Sequence, residues 1–237
     1  MVVARSARGS RGSSRHTQPI TIHASAPEQG EHALRDASFT QTAAALHRHA
    51  PSHDETETEN PMTQPRLISD FTMEEVQSTN WCWAAIAVSV GNFYETGPWT
   101  QCKVANSVLG HAPGGTHDCC DPSNIMGPAC DTPWDLDVAL RHTGSRGDMI
   151  QSPASIEQIR DAIDNRRPLC FLVEFRQGGH YAVIIGYDDT PEFSEGPVVN
   201  VLDPSRGMSV ISSTIELLEA RFGGRWTRTY RTRKGGT

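Results

Sequence analysis

Cys82 lies within the string Gln77-Ser78-Thr79-Asn80-Trp81-Cys82-Trp83-Ala84-Ala85-Ile86-Ala87-Val88-Ser89, and that setting decides what its sulfur can do. Thr79 and Asn80 are cap-forming residues directly ahead of a run of small and apolar residues, so a helix is expected to begin near Trp81, with Cys82 in its first turn. Unpaired backbone N–H groups and the positive end of the helix dipole collect there. Both favour an anion, so a thiol placed there ionises more readily and becomes a nucleophile. A cysteine among alanines and valines is more often a small buried hydrophobe. Two features weigh against that plainer reading. Cys82 stands at the start of the helix, and Gln77 lies five residues upstream, where its carboxamide can donate to an oxyanion forming beside the sulfur.

Such a nucleophile needs a base. Gly178-Gly179-His180 places a histidine at the first residue of an expected strand, behind two glycines that let another surface approach the backbone. A histidine at a strand start is usually a polar residue at a sheet edge, so its weight depends on a partner. Asp203 leaves the next expected strand at Leu202-Asp203-Pro204, and in an antiparallel pair the end of one strand lies beside the start of its neighbour. Asp188 and Asp189 sit at the far end of the His180 strand, and Asn200 lies three residues before the end of its own strand, so neither place suits a partner for His180. His111, His117 and His142 have no evident carboxylate beside them.

The elements that must hold these side chains divide into a helical half and a sheet half. The helix behind Cys82 is apolar on nearly every side and should run through the middle of the domain until Thr96-Gly97-Pro98. Thr132-Pro133-Trp134-Asp135 reads as a cap, a proline at the first helical position and an acid at the third, opening a helix that Gly144 ends. Ser155-Ile156-Glu157-Gln158 is a capping box for a further helix that stops before Pro168. From there the period becomes extended. Strands are expected over 169–175, 180–187 and 198–202, joined by turns short enough to make them antiparallel neighbours, followed by another strand, a short helix over 215–221 and a last strand over 226–230. The expected class is α+β.

Cys102, Cys119, Cys120 and Cys130 fall in a stretch read as loop, with His111 and His117 among them. No C-x-x-C or H-x-x-x-H pair is present, so zinc is the weaker reading. Two disulfides suit an oxidising compartment and free thiols a reducing one. A bridge between the adjacent Cys119 and Cys120 is disfavoured by geometry.

The chain of 237 residues is long enough for one domain and a tail, and its 37% hydrophobic content is leanest in the first sixty or so positions. Residues 1–65 are expected to be a disordered tail serving export, targeting or regulation, or else an over-extended start with the true start near Met62; the domain is expected over 66–234. A net charge of −7 disfavours nucleic acid or an anionic membrane as the partner. No transmembrane run or cleavable secretory signal is visible, which leaves a cytoplasmic protein or export by an uncleaved or non-classical signal. The sequence sets no oligomeric state.

With Gln77, Cys82-Trp83, Gly179-His180 and Asp203 assembled, the chain resembles a papain-like cysteine peptidase. It is most similar to the compact bacterial branch that includes type III effector proteases of plant pathogens. The strings Asn80-Trp81-Cys82-Trp83-Ala84-Ala85 and Gly178-Gly179-His180-Tyr181-Ala182-Val183, and the Asp203-Pro204 after a valine-rich strand, carry the likeness over about residues 66–232. The resemblance implies a papain-like fold, Cys82 as nucleophile, His180 as base and acid, Asp203 as the residue that orients it and Gln77 as oxyanion donor. It also implies a protein or peptide substrate and no metal or organic cofactor. Other thiol acyl-transfer enzymes on the same scaffold (a deamidase, an amidase, a transglutaminase-like enzyme) would use the same residues, and a catalytically silent binding module or a zinc-binding interaction domain would use fewer.

Overall fold

The computed structural model describes residues 65–190 and 196–235. The expectations for the first 64 residues, whether tail or over-extended start, lie outside them. Among the described residues no helix is long and apolar enough to cross a membrane.

The helical half comes first, after the two-residue strand β1 (Arg66–Leu67). Helix α1 (Cys82–Phe93) is buried along all ten positions from Cys82 to Gly91, as its uniformly apolar sequence demands, and it packs against α2 (Gln101–Leu109), α3 (Leu136–His142) and the central strand β4 (Gly178–Asp188). It starts where expected, with Cys82 in its first turn, but its cap differs. The N-cap is Trp81 with no side-chain cap bond, because Asn80 is drawn away: its backbone N–H and its Nδ2 donate to Asp131 Oδ1 (2.7 Å) and Asp131 O (3.1 Å). Tertiary bonds have replaced the local cap. The helix also ends earlier than expected, at Phe93, before Glu95 turns into positive φ at 56°.

Helix α3 begins three residues later than its sequence suggested. Asp135 is the cap and accepts from Asp137 N, whereas the Thr132 carbonyl is taken by Trp83 Nε1 at 3.0 Å. Pro133 therefore lies ahead of the helix. The capping box does form: Ser155 and Gln158 exchange bonds at the start of α4 (Ile156–Asp164).

The sheet half follows as β3 (Leu169–Phe175), β4, β5 (Val198–Leu202) and β6 (Val210–Thr214), then α5 (Ile215–Phe222) and β7 (Arg225–Thr232). With β2 (Arg146–Ile150) they form one sheet in the order β2-β7-β3-β4-β5-β6, with β1 also paired to β4. Every pairing is antiparallel. The α+β class holds, with the cysteine helix in the first half and the sheet in the second.

The stretch read as cysteine loop contains α2, whose N-cap Thr100 accepts from Lys103 N and whose C-cap is Gly110. The bridge Cys102–Cys120 ties that helix to the turns behind it and Cys119–Cys130 ties those turns to one another, leaving Cys82 and Cys170 as thiols. The adjacent pair is not bridged to itself.

Candidate active site

Cys82 is the first residue of α1 and remains 9% exposed, whereas Cys170 in the middle of β3 is 0% exposed. The turn before it is clamped from one segment. Besides the Asn80 bonds to Asp131, Trp81 Nε1 donates to Cys130 O at 2.7 Å and Ser78 Oγ to Ile125 O at 2.9 Å. The disulfide-tied segment thus acts as a cradle for the start of the helix. Rigid support of this kind is what a group needs if its position relative to a neighbour must hold to a fraction of an ångström.

His180 is the third residue of β4 rather than its first, because the ladder extends back to Gly178: Val173 pairs with His180, Glu174 with Gly179 and Phe175 with Gly178. Strand β5 pairs with β4 as far as Val183–Leu202, and Asp203 follows immediately. That register delivers the carboxylate to the imidazole. His180 Nε2 lies 2.8 Å from Asp203 Oδ1. Burial alone would lower the imidazole's affinity for its proton, but hydrogen bonds and charge from Asp203 and Cys82 outweigh it and push His180 up to about 9. For Asp203, burial works toward protonation and is overcome by the bonds from His180 and Ser205, which bring it down to about 2. With Nε2 committed to Asp203, Nδ1 is the ring nitrogen left for Cys82.

Asn200 is elsewhere. It pairs opposite Gly186 and its Oδ1 accepts from Ser212 Oγ at 2.9 Å. Asp189 is occupied by Arg160 Nη2 at 2.8 Å. Gln77 is solvent-exposed in the segment leading to α1, with its backbone N–H bonded to Gln101 Oε1 at 3.0 Å. Cys82, His180 and Asp203 are thereby brought together, and Gln77 is placed on the approach to them.

The model of the Peptidase_C39 like family matches residues 62–233. This chain belongs to that family. No curated protein sequence matches it. Among solved structures it is similar to the peptidase domain of Streptococcus ComA, a bifunctional ABC transporter of a quorum-sensing pathway. Identity there is 17%, over 68% of this chain and 98% of that one, with a TM-score of 0.42. It is also similar to a C39-like peptidase from Bacillus anthracis, at 14% identity over 72% of this chain and 98% of that one, with a TM-score of 0.48. The assignment rests on the family match, and it makes the chain a C39-like cysteine peptidase with protein or peptide substrates.

In this C39-like peptidase several supporting residues went unread in the sequence. Ser205 donates to Asp203 Oδ1 twice, from its N–H at 2.9 Å and its Oγ at 2.7 Å, so the carboxylate is held by its own turn before the histidine reaches it. Asp203-Pro204-Ser205 is a legible Asx-turn signature. Phe222, at the end of α5, stacks on His180 with ring centroids 6.0 Å apart. Nothing local marks it, since the contact joins residues far apart in the chain.

A cleft of about 410 Å³ is lined by Pro133, Trp134, Asp135, Leu172, Glu174, Gly179, Tyr181 and Arg228. Gly179 and Tyr181 flank His180 in β4 and so face the other side of the strand, and none of Cys82, His180 and Asp203 lines it. A Cβ on Gly179 would stand 2.8 Å from Leu172 Cδ1 and 3.3 Å from Val173 O, so glycine there keeps the floor of the cleft clear. As for metals, His111 has a donor atom within 4.8 Å of the sulfurs of Cys119 and Cys130, and those two sulfurs are bonded to each other.

Proposed function

We propose that this C39-like peptidase is a cysteine endopeptidase working through Cys82, His180 and Asp203, with Gln77 as oxyanion donor. The observation that carries the reading is the 2.8 Å bond from His180 Nε2 to Asp203 Oδ1, which leaves the Nδ1 edge of the imidazole for a cysteine at a helix N-terminus. The Cys82 thiolate attacks the scissile carbonyl and the carbon–oxygen π electrons move to oxygen, where the Gln77 carboxamide donates to the oxyanion. Collapse of that intermediate expels the amine, which takes the proton held by His180, and leaves a thioester on Cys82. A water then gives a proton to His180 as it attacks the thioester, and the thiolate leaves.

The test is incubation of the full chain with a diverse peptide library. New peptide fragments that vanish in Cys82→Ala are the expected result. Ammonia released without fragments would transfer the same residues to a deamidase or amidase, and no Cys82-dependent product would remove the enzymatic reading. The narrower placement beside type III effector proteases is supported by the motif strings around Cys82 and His180 alone, and requires cleavage of a host-cell protein at a defined site.

The same proposal assigns the peptidase unit to 66–234. The first 61 residues supply no periodic apolar face, so a chain starting at Met62 should melt within about 5 °C of the full chain, the shift that ~1–2 kcal/mol produces in a domain of this size. Differential scanning calorimetry of the two chains decides it, and a larger drop would make the first 61 residues part of the fold.

A further inference from the structure

Gln101 opens α2, is 0% exposed, and spends its whole carboxamide on one short stretch of chain. Its Oε1 accepts from Gln77 N at 3.0 Å, while its Nε2 donates to Glu75 O at 2.8 Å and to Glu74 Oε2 at 3.1 Å. A buried amide with every bond directed at the approach to the nucleophile is more than a filler of space. We propose that Gln101 is a positioning residue for Gln77, fixing the backbone from which the Gln77 carboxamide reaches the oxyanion; this rests on the assignment of Gln77 as that donor.

The stretch from Glu74 to Gln77 is a strap between three parts of the site. Glu74 N donates to Ser89 Oγ on α1 at 2.9 Å, and Val76 N to Pro204 O, directly after Asp203, at 3.0 Å. Gln77 N is the next anchor along it, and Gln101 supplies the acceptor. Because Gln77 itself is exposed, the carboxamide's reach is set by where its backbone is pinned. The pin is itself immobilised: Cys102, the next residue, is bridged to Cys120, while Cys119 is bridged to Cys130, whose carbonyl holds Trp81. One disulfide therefore stands behind the donor and the other behind the nucleophile, so the distance between them is fixed from two sides. A glutamate could not take the place of Gln101, since it has no donor for the Glu75 carbonyl and would face the Glu74 carboxylate.

Catalysis and alkylation separate this role from general support. Turnover passes through an oxyanion, whereas displacement of iodide from iodoacetamide by the Cys82 thiolate does not. In the full chain, Gln101→Met, which keeps the volume and loses the bonds, should lower kcat by about tenfold to a hundredfold with KM within about threefold, below the full effect of deleting an oxyanion donor. Affinity for a peptide aldehyde, which binds as a tetrahedral hemithioacetal, should fall in parallel. The rate of Cys82 alkylation should stay within about twofold, because Cys82 and His180 are untouched. Normal turnover in a folded Gln101→Met, or alkylation slowed as much as turnover, overturns the proposal. Gln77→Ala distinguishes the two layers: if it leaves kcat unchanged, the donor assignment itself is wrong. Should Gln101→Met not fold, amide exchange in the unaltered protein decides. Slow exchange at Gln77 N–H is expected, and exchange at the rate of an open loop refutes the anchor.

Discussion

Asp203→Ala is expected to lower kcat by about a hundredfold or more and to move the alkaline limb of kcat/KM to lower pH. The imidazole is held up at about 9 against its own burial by Asp203 and Cys82 together. In the proposed mechanism turnover needs the protonated ring beside the thiolate, so in the unaltered protein kcat/KM should fall as pH rises through about 9. Without Asp203, burial is opposed by Cys82 alone and the ring loses its proton at lower pH. The sign for stability follows from the same shift. A group raised from 6.5 to about 9 on folding contributes stability that is complete below 6.5 and gone above about 9. The melting penalty of Asp203→Ala should accordingly be larger at pH 6 than at pH 9.5, with most of it still present at pH 7. Asn200→Ala is the contrast. It loses one exposed bond to Ser212 and sits opposite Gly186, six residues from His180 and so about 20 Å along the strand. It should change kcat by less than about threefold while costing ~0.5–1.5 kcal/mol. Steady-state kinetics across pH on both variants, with melting curves, checks the pair; normal turnover in Asp203→Ala would remove Asp203 from the mechanism.

That contrast was legible in the sequence because it depended only on register. Strands β3 and β5 fall at their expected bounds since each is a continuous apolar run closed by turn residues, and a buried run of that kind has one good placement. What escaped was whatever tertiary contacts decide. Helix α2, Gln-Cys-Lys-Val-Ala-Asn-Ser-Val-Leu, is built largely of weak helix formers, and it holds because a capped end and a disulfide fasten it. Strand β2, Arg-Gly-Asp-Met-Ile, has no alternation and exists through its pairing with β7. Asn80 looked like a cap and was claimed by Asp131, a residue that no local pattern connects to it. Gln101 is the sharpest case, because a glutamine at the start of a helix carries no signature and its role comes wholly from what surrounds it.

Cys82 is expected to react with iodoacetamide at pH 7 at least about a hundredfold faster than Cys170 in the folded chain. Two physical differences act in the same direction. Cys170 is fully enclosed between Val183 on β4 and Tyr230 on β7, and burial pushes its thiol up, so at neutral pH it is both protonated and out of reach. Cys82 keeps a path to solvent, stands at the positive end of α1, and faces an imidazole that stays protonated until about pH 9 and therefore supplies a counter-charge for the sulfur. The four bridged cysteines do not compete for reagent while the disulfides are intact. In concentrated guanidinium the two rates should converge, since the difference belongs to the fold and not to the residues. Replacing the counter-charge separates the two contributions: in His180→Ala, Cys82 labelling at pH 7 should slow by about tenfold or more, while Cys170 stays as it was. Timed alkylation with mass-spectrometric mapping reads all of these rates in one experiment. Faster labelling at Cys170 would mean that the path to solvent, the helix end and the imidazolium do not meet at Cys82, and the nucleophile would have to be sought elsewhere.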